Sequence, residues 1–220
     1  MIKLSRKSFL KTLGLGMSAI LLEDFPVLSA FAANENTMID PHDLVSELND
    51  WYLTQNVPMT LDEISASQSC TLTQLEKDLQ ALQNLQVESK AVTESKRLSI
   101  SPLAMLVNYS YAAAHQLSVF LDEGTFGYAY VGITISGKVD LSNNNVVSGS
   151  GQATEQNGVN LDSLTIGKVS VTTNSPSTGY VTYSCPCSAR FAWTSPYSGV
   201  TYSGTASDTF AGSFAAYNYY

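Results

Sequence analysis

Histidine is nearly absent from this chain: His42 and His115 are the only two among 220 residues. Two imidazoles so far apart in sequence do not make a His-rich metal site, and no H-E-x-x-H zinc motif occurs. A G-x-S-x-G nucleophile elbow and a P-loop are missing as well. Cationic residues are scarce. Eleven Lys and Arg stand against nineteen Asp and Glu, a formal charge of −8. A chain that acidic is a poor partner for nucleic acid or for bare anionic lipid, and self-repulsion keeps it soluble.

The few cations that exist are concentrated at the start. Lys3, Arg6, Lys7 and Lys11 form a positive n-region, Thr12 to Leu22 is an uncharged apolar stretch, and Ala30-Phe31-Ala32 places small residues where a signal peptidase reads. Residues 1–32 therefore read as a cleaved export signal, so the protein is expected to be secreted, extracellular or associated with the cell envelope. Ser5-Arg6-Lys7-Ser8-Phe9-Leu10-Lys11 resembles the twin-arginine export motif, with Lys7 in place of its second Arg. That departure leaves the general secretory route equally open. No Cys stands near the cleavage point, so a lipid anchor is not supported. Removing four cations and two anions leaves 188 residues with a charge of −10.

Charge also divides the remainder. Residues 33–97 hold eleven acids and four bases, whereas residues 98–220 hold six and three. The first segment reads as acidic, solvated and helical. Asp40-Pro41 is an N-cap followed by Pro at the first helical position. Leu44, Leu48, Trp51, Tyr52 and Gln55 then share one stripe. Thr60/Glu63 and Thr71/Gln74 are spaced as capping boxes, and Leu72, Leu75, Leu79, Leu82 and Gln86 follow at helical spacing. Leu61 to Asp78 resembles a helix-turn-helix DNA reader, but its second helix offers Lys77 between Glu76 and Asp78 and no Arg. A reader of phosphates and guanine edges needs cations there, so nucleic acid is not an expected partner.

From Pro102 to Leu121 there is no charged residue in a run of twenty. Ser101-Pro102 is a cap-plus-Pro start and Gly124 a stop, which predicts a third helix. Leu103, Leu106, Val107, Ala114, Leu117 and Leu121 make its apolar face. A core helix is the preferred reading over membrane insertion, because Asn108, Ser110, His115, Gln116 and Ser118 are polar. His115 is expected to be a hydrogen-bonded core or boundary residue.

Beyond Phe126 the period becomes two. Ala129, Val131, Ile133, Ile135, Val139 and Leu141 alternate with polar residues. Val181, Tyr183, Cys185, Cys187, Ala189, Phe191 and Trp193 repeat the pattern, and Val200, Tyr202, Ala206, Phe210 and Phe214 do so again. A bulge is expected at Gly167, where the apolar phase slips. Turns are expected at Ser142 to Asn145, Asn157-Gly158, Asn174 to Gly179 and Ser195 to Gly199. The predicted fold is α+β: N-terminal helices, then an antiparallel sheet or sandwich of about five strands. Residues 98–220 would hold the core helix and the β domain.

Cys185-Pro186-Cys187 is the sharpest local motif. On a strand these Cα atoms lie about 6.6 Å apart, near the upper limit for a disulfide, so a bridge between them would be strained. Both fall on an apolar face, where a thiol packs as a small hydrophobe. Packing ranks first, a bridge from Cys70 to one of them second, and a soft-metal or redox site at Cys185 and Cys187 third, so no metal or cofactor is expected. Pro186 predicts an edge strand.

Asp140, Glu155, Asp162 and Asp208 are acids of the β region, but nothing selects two of them as a catalytic pair. No catalytic residue is named. Nine of twelve Tyr lie between Tyr128 and Tyr220. Tyr128 and Tyr130 sit on the less apolar face of their strand, and Tyr197 in a turn. They are the candidate ligand-binding residues, for a glycan or protein at the cell surface. The tail 211–220 resembles the aromatic C-terminus of lactococcin-972-type bacteriocins over that stretch alone, and no family follows from it. The sequence thus predicts a secreted, non-catalytic bacterial binding or structural module. The alternative is a membrane-active or antimicrobial protein with residues 33–97 as a pro-segment and Pro102 to Leu121 inserting; a secreted hydrolase ranks third.

Overall fold

A computed structural model describes residues 41–65, 72–99, 105–122, 124–173 and 179–217. The expected export segment, Cys70 and the terminal Tyr219 and Tyr220 lie outside them. The elements run α1 Pro41–Gln55, β1 Met59–Ser65, α2 Leu72–Gln83, β2 Gln86–Ser99, β3 Leu106–Leu121, β4 Gly124–Asp140, β5 Asn145–Val159, β6 Leu161–Ile166, β7 Ser170–Thr173, β8 Tyr180–Thr194 and β9 Thr201–Ala215. The protein is mostly β. Its strands form two antiparallel sheets, one in the order β1-β9-β8-β6 with β7 also on β8, the other β2-β3-β4-β5. Nine strands among the described residues replace the five expected.

Alternation makes the core. The inner residues of β4 (Ala129, Val131, Ile133, Ile135, Val139) and of β8 (Val181 to Trp193, every second residue) are buried. The two sheets meet through aromatic pairs: Tyr111 stacks on Phe214 at 4.2 Å, and His115 on Phe210 at 4.9 Å. On the outer face of the five-stranded sheet Arg190 ties three strands together. It donates to both oxygens of Asp62 on β1, at 3.1 and 3.2 Å, and to Asp162 on β6 at 2.5 Å.

The helix expected over Pro102 to Leu121 is instead strand β3, from Leu106 onward. Val107, Tyr109, Tyr111, Ala113, His115, Leu117 and Val119 alternate inward and are all buried. The run carries no charge because β3 is an interior strand, paired with β2 on one side and β4 on the other. The acidic segment 33–97 is likewise not wholly helical. Its last part is β2, and the presumed capping box Thr60/Glu63 lies in β1, which pairs with β9. A third correction concerns Pro186: β8 is interior, not an edge. The ladder beside it is interrupted between β6 and β7, where Gly167 N donates to Pro186 O at 2.8 Å. The interruption absorbs the amide hydrogen that Pro lacks. The reversal expected at Asn157-Gly158 occurs at Asn160, which has φ 54°.

Helix α1 buries Leu48 and Tyr52 one turn apart, and Asn56 at φ 54° ends it in the left-handed conformation. The Asn49 amide exchanges two hydrogen bonds with the Leu61 backbone, 2.7 and 2.8 Å, as a neighbouring strand would. Helix α2 buries Leu75, Leu79 and Leu82. It also buries Asp78, which accepts from the hydroxyls of Ser195, Ser198 and Tyr202, the last at 2.8 Å. A carboxylate with three donors is affordable in a core, and this one fastens α2 to the β8–β9 turn.

Candidate ligand-binding face

Register builds the site. On the outer face of the four-stranded sheet, Thr93, Ala114, Gly132 and Thr154 stand in one row across β2, β3, β4 and β5. The next row is Ser95, Ala112, Thr134 and Gln152. On one side of these rows Tyr130 is paired with Gln116, and Tyr128 with Ser118. On the other, Arg97, Ser110, Ser136 and Ser150 align. Small residues with the Tyr128–Tyr130 pair on one side and Arg97 on the other leave a groove across the strands. It encloses about 220 Å³ above Ala112, Ala114 and Gly132, with Thr93, Ser95, Thr134, Thr154 and Gln156 in its walls.

Gly132 sets the depth. A Cβ there would come within 2.8 Å of Gln156 Nε2 and 3.2 Å of Thr154 Oγ1. Its absence lets the Gln156 amide lie low over the sheet. Tyr128 and Tyr130 sit edge to face, with ring centroids 5.4 Å apart, and both are half-buried. Beside Tyr128, Ser118 is buried and its hydroxyl has no hydrogen-bond partner. Glu94, exposed on β2 between Thr93 and Ser95 and opposite the buried Ala113, turns its side chain to the other face, toward the Tyr111 phenol. The arrangement offers two aromatic surfaces next to neutral hydroxyl and amide groups.

The other sequence candidates lie elsewhere. Tyr197 is half-buried in the β8–β9 turn with the Lys77 ammonium 5.7 Å above its ring. It lines a separate depression of about 240 Å³ with Lys77, Gln80, Ala81 and Asp122. Cys185 and Cys187 are unbridged and face the core. Burial raises both thiols; Cys187 is pushed up to about 12, with Cys185 and Asp208 adding to the effect. A protonated, enclosed thiol is a poor nucleophile and a poor metal ligand. Among the described residues, no group of three or more His, Cys, Asp or Glu could hold a metal ion. A wider depression of about 420 Å³ lies on the other sheet, around Pro186, Ser188, Ser207, Asp208 and Thr209.

Sequence reasoning missed the floor of the groove, because Ala112 and Ala114 were assigned to a helix and Gln156 carried no local signal. His115 is the buried, hydrogen-bonded residue expected, but its partner on another strand carried no local signal. His115 Nε2 meets the Tyr183 hydroxyl, and burial raises the Tyr111 and Tyr183 phenols and lowers the His115 imidazole. No family model matches the chain, nor does any curated protein or solved structure.

Proposed function

We propose that this protein is a secreted, non-catalytic β-sandwich module that holds a neutral glycan on the outer face of β2–β5, outside the cell or at its surface. The Tyr128–Tyr130 pair beside a hydroxyl- and amide-walled groove carries this reading. A sugar ring presents an apolar face that packs on a phenol, and hydroxyls that need neutral donors and acceptors. Tyr also orders few torsions on binding. The membrane-active alternative loses the feature that suggested it, since residues 106–121 are a strand and no helix of the described residues is long and apolar enough to cross a membrane.

The test is binding of purified protein to a panel of soluble and insoluble neutral polysaccharides. Tyr130→Ala should weaken binding at least about five-fold, as loss of an anchoring aromatic does. Gly132→Val should weaken it similarly by displacing Gln156 and filling the groove. Unchanged binding in both variants, or cleavage of the polysaccharide, would refute the reading.

A further inference from the structure

The end of the molecule farthest from the helices carries exposed apolar side chains. Met105 is 69 % exposed, Val147 59 %, Leu106 46 % and Tyr180 45 %. The pairing brings them to one end. Leu106 is opposite Asp140, Leu141 N donates to Met105 O at 2.8 Å, and Val147 is the unpaired residue of the bulge facing Lys138 and Val139. Tyr180 begins β8, beside Gly179, where a Cβ would come within 2.6 Å of Asn144 O in the β4–β5 turn. Its ring stands perpendicular to that of Tyr217 at 6.5 Å. Monomeric proteins rarely leave several such side chains together in water without a use for them.

The charges nearby are two cations and one acid, a balance opposite to that of the chain as a whole. Lys138 pairs with Asn108, two residues from Leu106, and Arg97 with Ser110, four residues away. Those spacings are about 7 and 13 Å on a strand, within reach of long side chains for one surface. Asp140 is the one acid among the described residues of this end. Residues 98–121, 169–189 and 209–220 contain no charged residue. The acids of α1 and α2 belong to the opposite end, and the 15-residue strand β8 alone is about 45 Å long. That is several Debye lengths in physiological salt, so their repulsion is screened here.

From this juxtaposition we propose that the Met105–Leu106–Val147–Tyr180 end docks on an anionic bilayer surface. The apolar side chains enter the boundary between headgroups and acyl chains, Tyr180 sits at that boundary, and Arg97 and Lys138 face the lipid phosphates. The groove lies on the sheet's face, on the far side of the Arg97–Ser110 row from this end.

The experiment is co-sedimentation of the secreted protein, residues 33–220, with phosphatidylcholine vesicles, with and without about one third phosphatidylglycerol. Binding should be at least about five-fold stronger to the mixed vesicles and should weaken as salt is raised. Met105→Asp with Val147→Asp should abolish it, and Arg97→Gln with Lys138→Gln should reduce it to the level seen on phosphatidylcholine alone. Leu53→Asp, at an exposed position on α1, should leave it intact. Circular dichroism confirms that each variant folds. Tyr130→Ala should bind vesicles normally, and the Met105/Val147 variant should bind polysaccharide normally, which separates this surface from the groove. Absence of vesicle binding, equal binding to both vesicle types, or a Met105/Val147 effect on self-association without one on lipid would overturn the proposal.

Discussion

The Nε2 atom of His115, on β3, lies 2.8 Å from the hydroxyl of Tyr183, on β8, and so joins the two sheets through a polar contact inside an aromatic core. Tyr111 and Phe210 pack around it, and Glu94 approaches from the edge strand β2.

This contact makes stability depend on pH. Burial lowers the His115 imidazole below its ordinary value of about 6.5, although Glu94 opposes the shift. The unfolded chain then takes up the proton first. The contribution of neutral His115 is fully present above the unfolded value and is lost as pH falls through the folded one. Thermal melts from about pH 7 to pH 5 should show a smaller decline for His115→Gln than for the wild type. Parallel curves would place the His115 proton elsewhere.

Leu117 is fully buried on the inner face of β3. Leu117→Ala should cost about 2–5 kcal/mol in urea denaturation. A cost under about 1 kcal/mol would mean that β3 is not part of the core.

Asp78 should matter as much as a large apolar residue. Asp78→Ala strands the hydroxyls of Ser195, Ser198 and Tyr202 and frees α2 from the β8–β9 turn. A loss of about 3 kcal/mol is expected, with Asp78→Asn recovering part of it. Faster hydrogen exchange in α2 would locate the damage; an unaffected α2 would contradict it.

Ser118 makes the opposite case. Its buried hydroxyl has no partner, so Ser118→Ala removes a desolvated polar group at little cost in volume. The variant should be more stable by about 1 kcal/mol. A less stable variant would show that the hydroxyl is bonded in solution.

Cys185 and Cys187 should react slowly with iodoacetamide at pH 8 and rapidly once denaturant is added, as buried thiols with raised pKa values do. Mass spectrometry after labelling identifies each site. Rapid native labelling of Cys187 would argue that the β8–β9 region opens.

Much of the β region was legible because each strand announces itself locally. The inner residues of β4, β8 and β9 alternate over long stretches, and that period survives any arrangement of the strands. β3 misled because Leu106, Val107, Ala114, Leu117 and Leu121 also satisfy a helical spacing, and Ala112 to Ala114 favour a helix. The better signal was the alternation of Val107, Tyr109, Tyr111 and Val119 with Asn108, Ser110 and Ser118. β2 gave no apolar period at all. It is an edge strand with Glu88, Lys90, Glu94, Lys96 and Arg97 along it, a composition that resists pairing with other chains.

The candidate site divides in the same way. Tyr128 and Tyr130 could be placed on the polar face of a strand from alternation alone, since successive side chains take opposite faces. Their neighbours could not. Thr93, Ala114, Gly132 and Thr154 come from four strands spread over 62 positions of the sequence and meet only through register. A slip of one residue in any pair would turn that strand's small residues inward and remove the groove. By itself the amino-acid order determined which residues alternate, where α1 and α2 turn, and how little positive charge the chain carries. The tertiary structure decided which strands are neighbours and which side chains meet across them. Those outcomes depend on burying two sheet faces against each other, a free energy that no single segment contains.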